Sequence, residues 1–238
     1  MKIALLLNYP LVDRVAWKRI LVEGLQAEGH TVHVHYGKTS PVEPLQTFLK
    51  ARRSGGGPVA SGAKAMTGRA PFNYLHFRRA KVPVFLHRNL DQPSAFSRIA
   101  AERYDHHVTA LDQILSKDFL AAVPSLLNVH YGFLPAIKGA DSIAWSLLMT
   151  GKLGITLHRL AEAVDTGDII FVQPIDTVKL RTLADARAAV HQTIPDLYLR
   201  FFRGELGGAF GNKGGQLYTS MHPDLRSIAT DLLKSQAP

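Results

Sequence analysis

An apolar run, a helical pattern and an alternating pattern follow one another at the start of the chain. In Lys2–Leu7 every residue after Lys2 is apolar, which is typical of a parallel strand buried on both faces. Val15–Glu28 repeats apolar residues at helical spacing and is followed by Gly29, a residue type that commonly closes helices. Thr31–Tyr36 then alternates as a strand does. This strand-helix-strand opening predicts an α/β fold.

The rest of the chain continues in the same alternation. Further strands are predicted at 82–86, 107–111, 124–130, 154–160 and 169–173, and helices at 94–102, 141–149, 183–203 and 225–234. Ser94 is the expected N-cap of its helix. We therefore expect a Rossmann-like, mostly parallel sheet with helices on both faces. It would form a single domain over residues 1–238, with 204–238 as a short C-terminal extension.

Composition excludes several kinds of protein. The chain has no cysteine, so a disulfide framework, a thiolate metal site and a cysteine nucleophile are excluded. The N-terminus reads as a strand rather than a signal peptide, and no apolar run is long enough to span a membrane. The cytoplasm is the expected location, and we expect no membrane partner. Oligomeric state is not indicated.

A basic region, residues 52–81, accompanies a formal net charge of +9. Leu45–Arg53 has helical character, and residues 54–69 are rich in glycine, serine and alanine, which predicts a mobile loop. The region could cover an anionic acceptor or be a solvated insertion. Aromatic residues are not interleaved with the charges on a recognisable module, so nucleic acid is not the expected partner.

Three polar residues with catalytic potential occur among apolar runs between residues 124 and 170. Asn128 and His130 are two apart in a predicted strand, so their side chains share a face near its carboxyl end. Asp165 follows a later strand, in a turn before Thr166-Gly167. An amide, an imidazole and a carboxylate can together supply oxyanion stabilisation and acid/base chemistry. Each also has a structural alternative, as a turn cap, a core histidine and an Asx-turn residue.

The same stretch resembles the folate-dependent formyltransferases. The resemblance lies in Asn128-Val129-His130, Leu134-Pro135, Lys138-Gly139, the strand 154–158 and the turn 164–168. The family includes methionyl-tRNA formyltransferase, glycinamide ribonucleotide formyltransferase and the amino-sugar N-formyltransferases. The turn after the first strand has no glycine, which argues against both dinucleotide binding and the glycinamide ribonucleotide branch. The short tail after residue 204 lacks the additional domain of the methionyl-tRNA enzymes, which favours a small amine as acceptor.

The resemblance implies N10-formyltetrahydrofolate as formyl donor and a small-molecule amine, such as an amino sugar or amino-acid derivative, as acceptor. It implies a catalytic trio of Asn128, His130 and Asp165. His158 and Asp168 are expected to be structural. Where the family often has serine, this chain has Gly132. By order along the chain, the resemblance places folate contacts at Leu111, Gln113, Ile114, Leu115, Val164 and Asp165.

Other functions use the same features. With water in place of the amine, the trio would serve a formyltetrahydrofolate hydrolase, and a methionyl-tRNA formyltransferase-like activity is a further alternative. His130, His158 and Asp165 could instead form a metal site with two histidines and one carboxylate. A basic RNA-binding protein without catalysis is the alternative from a different class, based on the net charge and residues 52–81. We expect no metal.

Overall fold

The computed structural model describes residues 1–39 and 72–235. The helix predicted at Leu45–Arg53 and the mobile loop predicted at 54–69 lie outside the described residues, as does most of the basic region on which the RNA-binding alternative depends. The chain forms two compact units, unit 1 (Met1–Leu126) and unit 2 (Leu127–Pro238). A single domain over residues 1–238 stays a prediction.

Unit 1 is built of parallel strands and helices. Its described elements are β1 (Lys2–Asn8), α1 (Ala16–Ala27), β2 (Thr31–Gly37), α2 (Asn73–Arg79), β3 (Val84–Leu86), α3 (Pro93–Ala101), β4 (His106–Ala110) and α4 (Lys117–Ala122). The strands lie in the order β3-β2-β1-β4, and each neighbouring pair is parallel. Residues 3–7 of β1 are fully buried. The predicted strand-helix-strand opening is confirmed.

Unit 2 contains the residues of the predicted site. Its described elements are β5 (Leu126–His130, starting one residue before the unit), β6 (Ile137–Gly139), α5 (Ser142–Thr150), β7 (Leu153–Arg159), β8 (Ile169–Ile175), α6 (Leu183–Phe202), β9 (Gln216–Tyr218) and α7 (Pro223–Ser235). β7 pairs antiparallel with both β5 and β8, and the short strands β6 and β9 pair in parallel.

The segment after α6 is bound to the rest of unit 2 by polar contacts as well as by the β6–β9 pair. Nε1 of Trp145, on α5, donates to the carbonyl of Thr219 at 2.9 Å. The backbone N–H of Met221 donates to Oδ2 of Asp141 at 2.8 Å. Ala229 and Leu233 of α7 are fully buried. Residues 204–235 are therefore an integral part of unit 2.

The predicted α/β fold is confirmed, with local corrections. Ser94 is not the N-cap of α3, because the helix begins at Pro93 with Gln92 as its N-cap residue. Proline suits the first helical position, where its missing N–H would have no intrahelical partner. The elements α2, α4, β6 and β9 were not predicted. β6 and β9 have three residues each, too few to show a periodic pattern.

Within residues 1–39 and 72–235, no helix has both the length and the apolar character needed to cross a membrane. The helix α6, with 20 residues, includes Asp185, Arg187, Asp196 and Arg200.

Candidate active site

The antiparallel register of β5 and β7 determines which side chains meet at the predicted site. Asn128 is opposite His158, and His130 is opposite Thr156. Directly opposed residues share a face of the sheet, so these four side chains project to the same side. On the other face of β5, Leu127 and Val129 are buried in the apolar core. This register places the side chains of Asn128 and His130 on one face of β5, as their spacing predicts.

The imidazole of His130 lies between two hydrogen-bond acceptors. Its Nδ1 is 3.2 Å from Oδ2 of Asp165, and its Nε2 is 2.8 Å from the carbonyl oxygen of Ile137. A carbonyl oxygen only accepts, so Nε2 carries a hydrogen and donates it. A ring that carries hydrogens on both nitrogens donates to both acceptors at once. His130 is buried, so water does not screen the pair strongly.

Asp165 lies in a turn that is anchored from two sides. Its φ of 52° is in the left-handed region, which aspartate tolerates better than most residues. Its Oδ2 accepts the backbone N–H of Gly139 at 2.8 Å, and its carbonyl accepts Nδ2 of Asn212 at 2.9 Å. Burial acts to raise the pKa of Asp165, but the His130 imidazole and the Gly139 N–H hold this pKa below its ordinary value. Asp165 is therefore an ionised carboxylate at neutral pH.

His158 sets the orientation of the Asn128 amide. Nδ1 of His158 is 2.8 Å from the carbonyl oxygen of Arg159, so Nδ1 carries the ring hydrogen. Its Nε2 therefore accepts from Nδ2 of Asn128 at 3.1 Å. Burial lowers the pKa of His158 to about 4, against an opposing effect of Asp165, so the ring is neutral. For that reason the 3.7 Å approach of His158 Nε2 to Asp165 Oδ1 is not an ion pair.

The turn after β5 packs closely around His130. Oγ1 of Thr156 donates to the Gly132 carbonyl at 2.6 Å and accepts the Leu134 N–H at 3.1 Å. The Leu134–Pro135 peptide bond is cis. A Cβ atom at Gly132 would lie 3.0 Å from Nε2 of His130. A serine here, which the family often carries, would therefore be in tight contact with the His130 imidazole.

The segment expected to contact folate follows β4 in unit 1. Leu115 is buried, whereas Ile114 is 73% exposed. Nε2 of Gln113 donates to Oδ1 of Asn89 at 3.3 Å. In unit 2, Val164 is partly exposed and directly precedes Asp165. The folate-binding roles stay predictions for Leu111, Gln113, Ile114, Leu115, Val164 and Asp165.

The metal alternative placed His130, His158 and Asp165 around one ion. In the part of the chain that the structure describes, no group of three or more histidine, cysteine, aspartate or glutamate residues could hold a metal ion. The ring nitrogens of both histidines are engaged with protein groups instead. The three side chains do come together, but they contact each other and the backbone.

Two contacts at this site were not anticipated from the sequence. His158 was expected to be structural, and its specific partner is the Asn128 amide. The available signal in the sequence was its position two residues after Thr156, which places both side chains on one face of a strand. Asn212, which donates to the Asp165 turn, lies in a glycine-rich segment with no recognisable pattern. Asp168 is exposed, and its carbonyl accepts the backbone N–H of Arg159 at 2.9 Å, a structural contact.

The arrangement suits chemistry at a carbonyl carbon. Nδ2 of Asn128 is an oriented donor, and a paired imidazole and carboxylate lie close to it. Such donors stabilise negative charge that develops on a carbonyl oxygen, and a carboxylate of low pKa can accept a proton from an attacking group.

The chain is similar to several known proteins. A Bacillus subtilis formyltetrahydrofolate deformylase is 38% identical over 98 residues, which are 39% of this chain and 32% of that protein. The chain thus spans about a third of the length of this curated relative. A sugar N-formyltransferase from Shewanella has a TM-score of 0.60 and 15% identity, covering 98% of this chain and 87% of that chain.

A second solved structure is a formyltransferase from Anoxybacillus kamchatkensis in complex with UDP-4,6-dideoxy-4-formamido-L-AltNAc and tetrahydrofolate. Its TM-score is 0.55 at 19% identity, and the match covers 90% of this chain and 85% of that chain. These structural similarities establish the shared fold. The model of the formyl transferase family matches residues 59–201, more than half of the 238 residues. The chain belongs to the formyl transferase family.

Proposed function

We propose that the chain is an N10-formyltetrahydrofolate-dependent formyltransferase that formylates the amine of a small molecule, either an amino sugar or an amino-acid derivative. The observation that carries the proposal is the convergence of Asn128, His130 and Asp165 in unit 2, with the His130–Asp165 pair and the oriented Asn128 amide on one face. A cytoplasmic location, and a small molecule rather than nucleic acid as partner, are part of the proposal.

The proposed reaction begins when an uncharged amine attacks the formyl carbon and negative charge develops on the formyl oxygen. Nδ2 of Asn128 carries two hydrogens, and one of them donates to this oxygen in the transition state. Protonated His130 stabilises the same charge through space. Its Nε2–H already donates to the Ile137 carbonyl, so it does not donate directly to the formyl oxygen. Direct donation from His130 would require that hydrogen bond to be shared or the ring to turn.

Asp165 has the proton-transfer role in this proposal. Its carboxylate accepts the proton lost by the attacking amine, directly or through water, and helps to return a proton to N10 of the leaving folate. The low pKa of Asp165 keeps it in the accepting form. The net reaction transfers a formyl group from one nitrogen to another, so it needs no covalent intermediate on the protein.

Folate as the donor is supported by the tetrahydrofolate complex of the Anoxybacillus formyltransferase, which has the same fold. Hydrolysis is the second candidate, favoured by the 38% identity with a formyltetrahydrofolate deformylase. In that reaction water attacks in place of the amine, and Asp165 accepts a proton from water.

Absorbance-monitored release of tetrahydrofolate from a stable N10-formyl folate analogue tests the proposal. The assay is run with and without a panel of amino sugars and amino acids. Release that requires one amine and is lost in Asn128→Ala supports transfer. Release at the same rate without any amine identifies hydrolysis, and no release under any condition refutes both.

A further inference from the structure

The side chain of Asn212 is buried against the catalytic turn. Its Nδ2 donates one hydrogen to the carbonyl of Asp165 and the other to the carbonyl of Gly167, both at 2.9 Å. Asn212 is 7% exposed, and its Oδ1 has no hydrogen-bond partner among residues 1–39 and 72–235. Within that part of the chain, the polar contacts of its amide are thus both with the Asp165–Gly167 turn.

Asn212 belongs to a bracing segment, residues 210–218, that contacts both the Asp165–Gly167 turn and the strand β6. Phe210 and Ile169 exchange two backbone hydrogen bonds, at 3.0 and 2.8 Å, which place Asn212 next to the turn. Further along, β9 pairs with β6, whose Gly139 N–H donates to Asp165. Nζ of Lys138 also donates to the carbonyl of Gly214 at 2.7 Å.

The turn needs such support because its conformation is demanding. Asp165 has a positive φ, and a Cβ atom at Gly167 would lie 2.0 Å from the carbonyl oxygen of Arg159. The carbonyls of Asp165 and Gly167 both point toward Asn212. If the Asn212 amide were removed, these two carbonyls would lose their donors. Leaving carbonyls unpaired away from water costs free energy and favours rearrangement of the turn.

We propose that Asn212 is a positioning residue for the reaction, holding the Asp165–Gly167 turn so that the Asp165 carboxylate stays against His130 and the Gly139 N–H. The inference depends on the proposed function of Asp165 as proton acceptor. Asn212 acts through Asp165 and does not touch the reacting atoms. It lies beyond residues 59–201, where the family model matches.

Two variants separate hydrogen bonding from packing. Asn212→Ala removes the amide, whereas Asn212→Asp keeps its shape and replaces Nδ2 by an oxygen facing two carbonyls. Exposed Lys213 provides the matched control, as Lys213→Ala, in the same segment. We expect both Asn212 variants to lower kcat about 10-fold to 100-fold, because small displacements of a reacting group are that costly. We expect the KM for the amine to change less than about twofold, since ground-state binding of the amine is retained. Lys213→Ala should match the unmodified protein.

A readout independent of activity keeps the inference testable if the proposed function fails. The Asp165 carboxyl resonance, identified by its loss in Asp165→Asn, is titrated by ¹³C NMR. Displacement from His130 should raise the pKa of Asp165 in both Asn212 variants toward the ordinary value. An unmoved Asp165 titration, or a folded Asn212→Asp protein with unchanged kcat, overturns the inference. An inactive parent protein with the expected shift in titration refutes the proposed function but supports the positioning role of Asn212.

Discussion

Oδ2 of Asp165 lies 3.2 Å from Nδ1 of His130 and also accepts the backbone N–H of Gly139. One carboxylate oxygen thus joins the strand β5, the strand β6 and the turn after β7. The acid/base chemistry proposed for the site depends on this shared oxygen.

Asp165→Asn should abolish proton acceptance while it preserves the shape of the side chain. We expect kcat to fall about 10²-fold to 10⁴-fold, the usual contribution of a general base. Steady-state kinetics with the best amine measures this loss. Asp168→Asn is the control, since Asp168 is exposed three residues away. Equal losses in both variants would contradict a specific role for Asp165.

His158→Ala should release the Asn128 amide from its orientation. We expect a smaller fall in kcat than the roughly 100-fold loss expected when the Asn128 donor itself is removed. Because His158 acts through Asn128, the effects of the two substitutions should not be additive in the Asn128→Ala/His158→Ala double variant. Additive losses in kcat would show that the two residues act independently.

Gly139→Ala should destabilise the protein and displace the N–H that holds Asp165. Gly139 has a φ of 89°, and an added Cβ would lie 2.2 Å from the carbonyl oxygen of Tyr218. We expect a loss of at least about 1 kcal/mol in the free energy of unfolding, measured by urea denaturation. Gly208→Ala is the control, because within residues 1–39 and 72–235 no atom other than those of its chain neighbours lies within 4 Å of a Cβ there. Similar stability of both variants would refute the argument.

Buried histidines should lower the free energy of unfolding as the pH is lowered. Burial lowers the pKa of His35 to about 3, and of His107 and His158 to about 4, from an ordinary value of 6.5. The unfolded chain takes up these protons first, so the free energy of unfolding should fall as pH drops from about 6.5 to about 4. His107→Gln should reduce this slope, whereas His222→Gln, at an exposed position, should not. An unchanged slope in His107→Gln would contradict the explanation.

The sequence predicted those parts of the fold that have strong local patterns. The buried run of β1 and the alternation of β2 are such patterns, and both strands are where they were expected. The N-cap of α3 was misassigned because Ser94 is a common capping residue, whereas Pro93 at the first helical position defines the start.

The site shows the same distinction between local and distant information. Asn128 and His130 are two apart in one strand, so their common face followed from spacing alone. The contact of Asn212 with Asp165 joins residues 47 apart, and the β6–β9 pair joins two short segments through tertiary contacts. Such contacts leave no periodic signal. The folate-contacting roles of Leu111, Gln113, Ile114 and Leu115 stay predictions, because they rest only on order along the chain.

Transfer of a labelled formyl group tests the central claim most directly. The protein is incubated with N10-[¹³C]formyltetrahydrofolate and the amine that gives the fastest folate release, and the products are analysed by mass spectrometry and NMR. We expect ¹³C in an N-formyl group on the amine, and far less of this product from His130→Ala or Asp165→Asn in the same time. Label found only in formate would contradict transfer and assign the site to hydrolysis, and label that stays on the folate would contradict formyl chemistry at this site altogether.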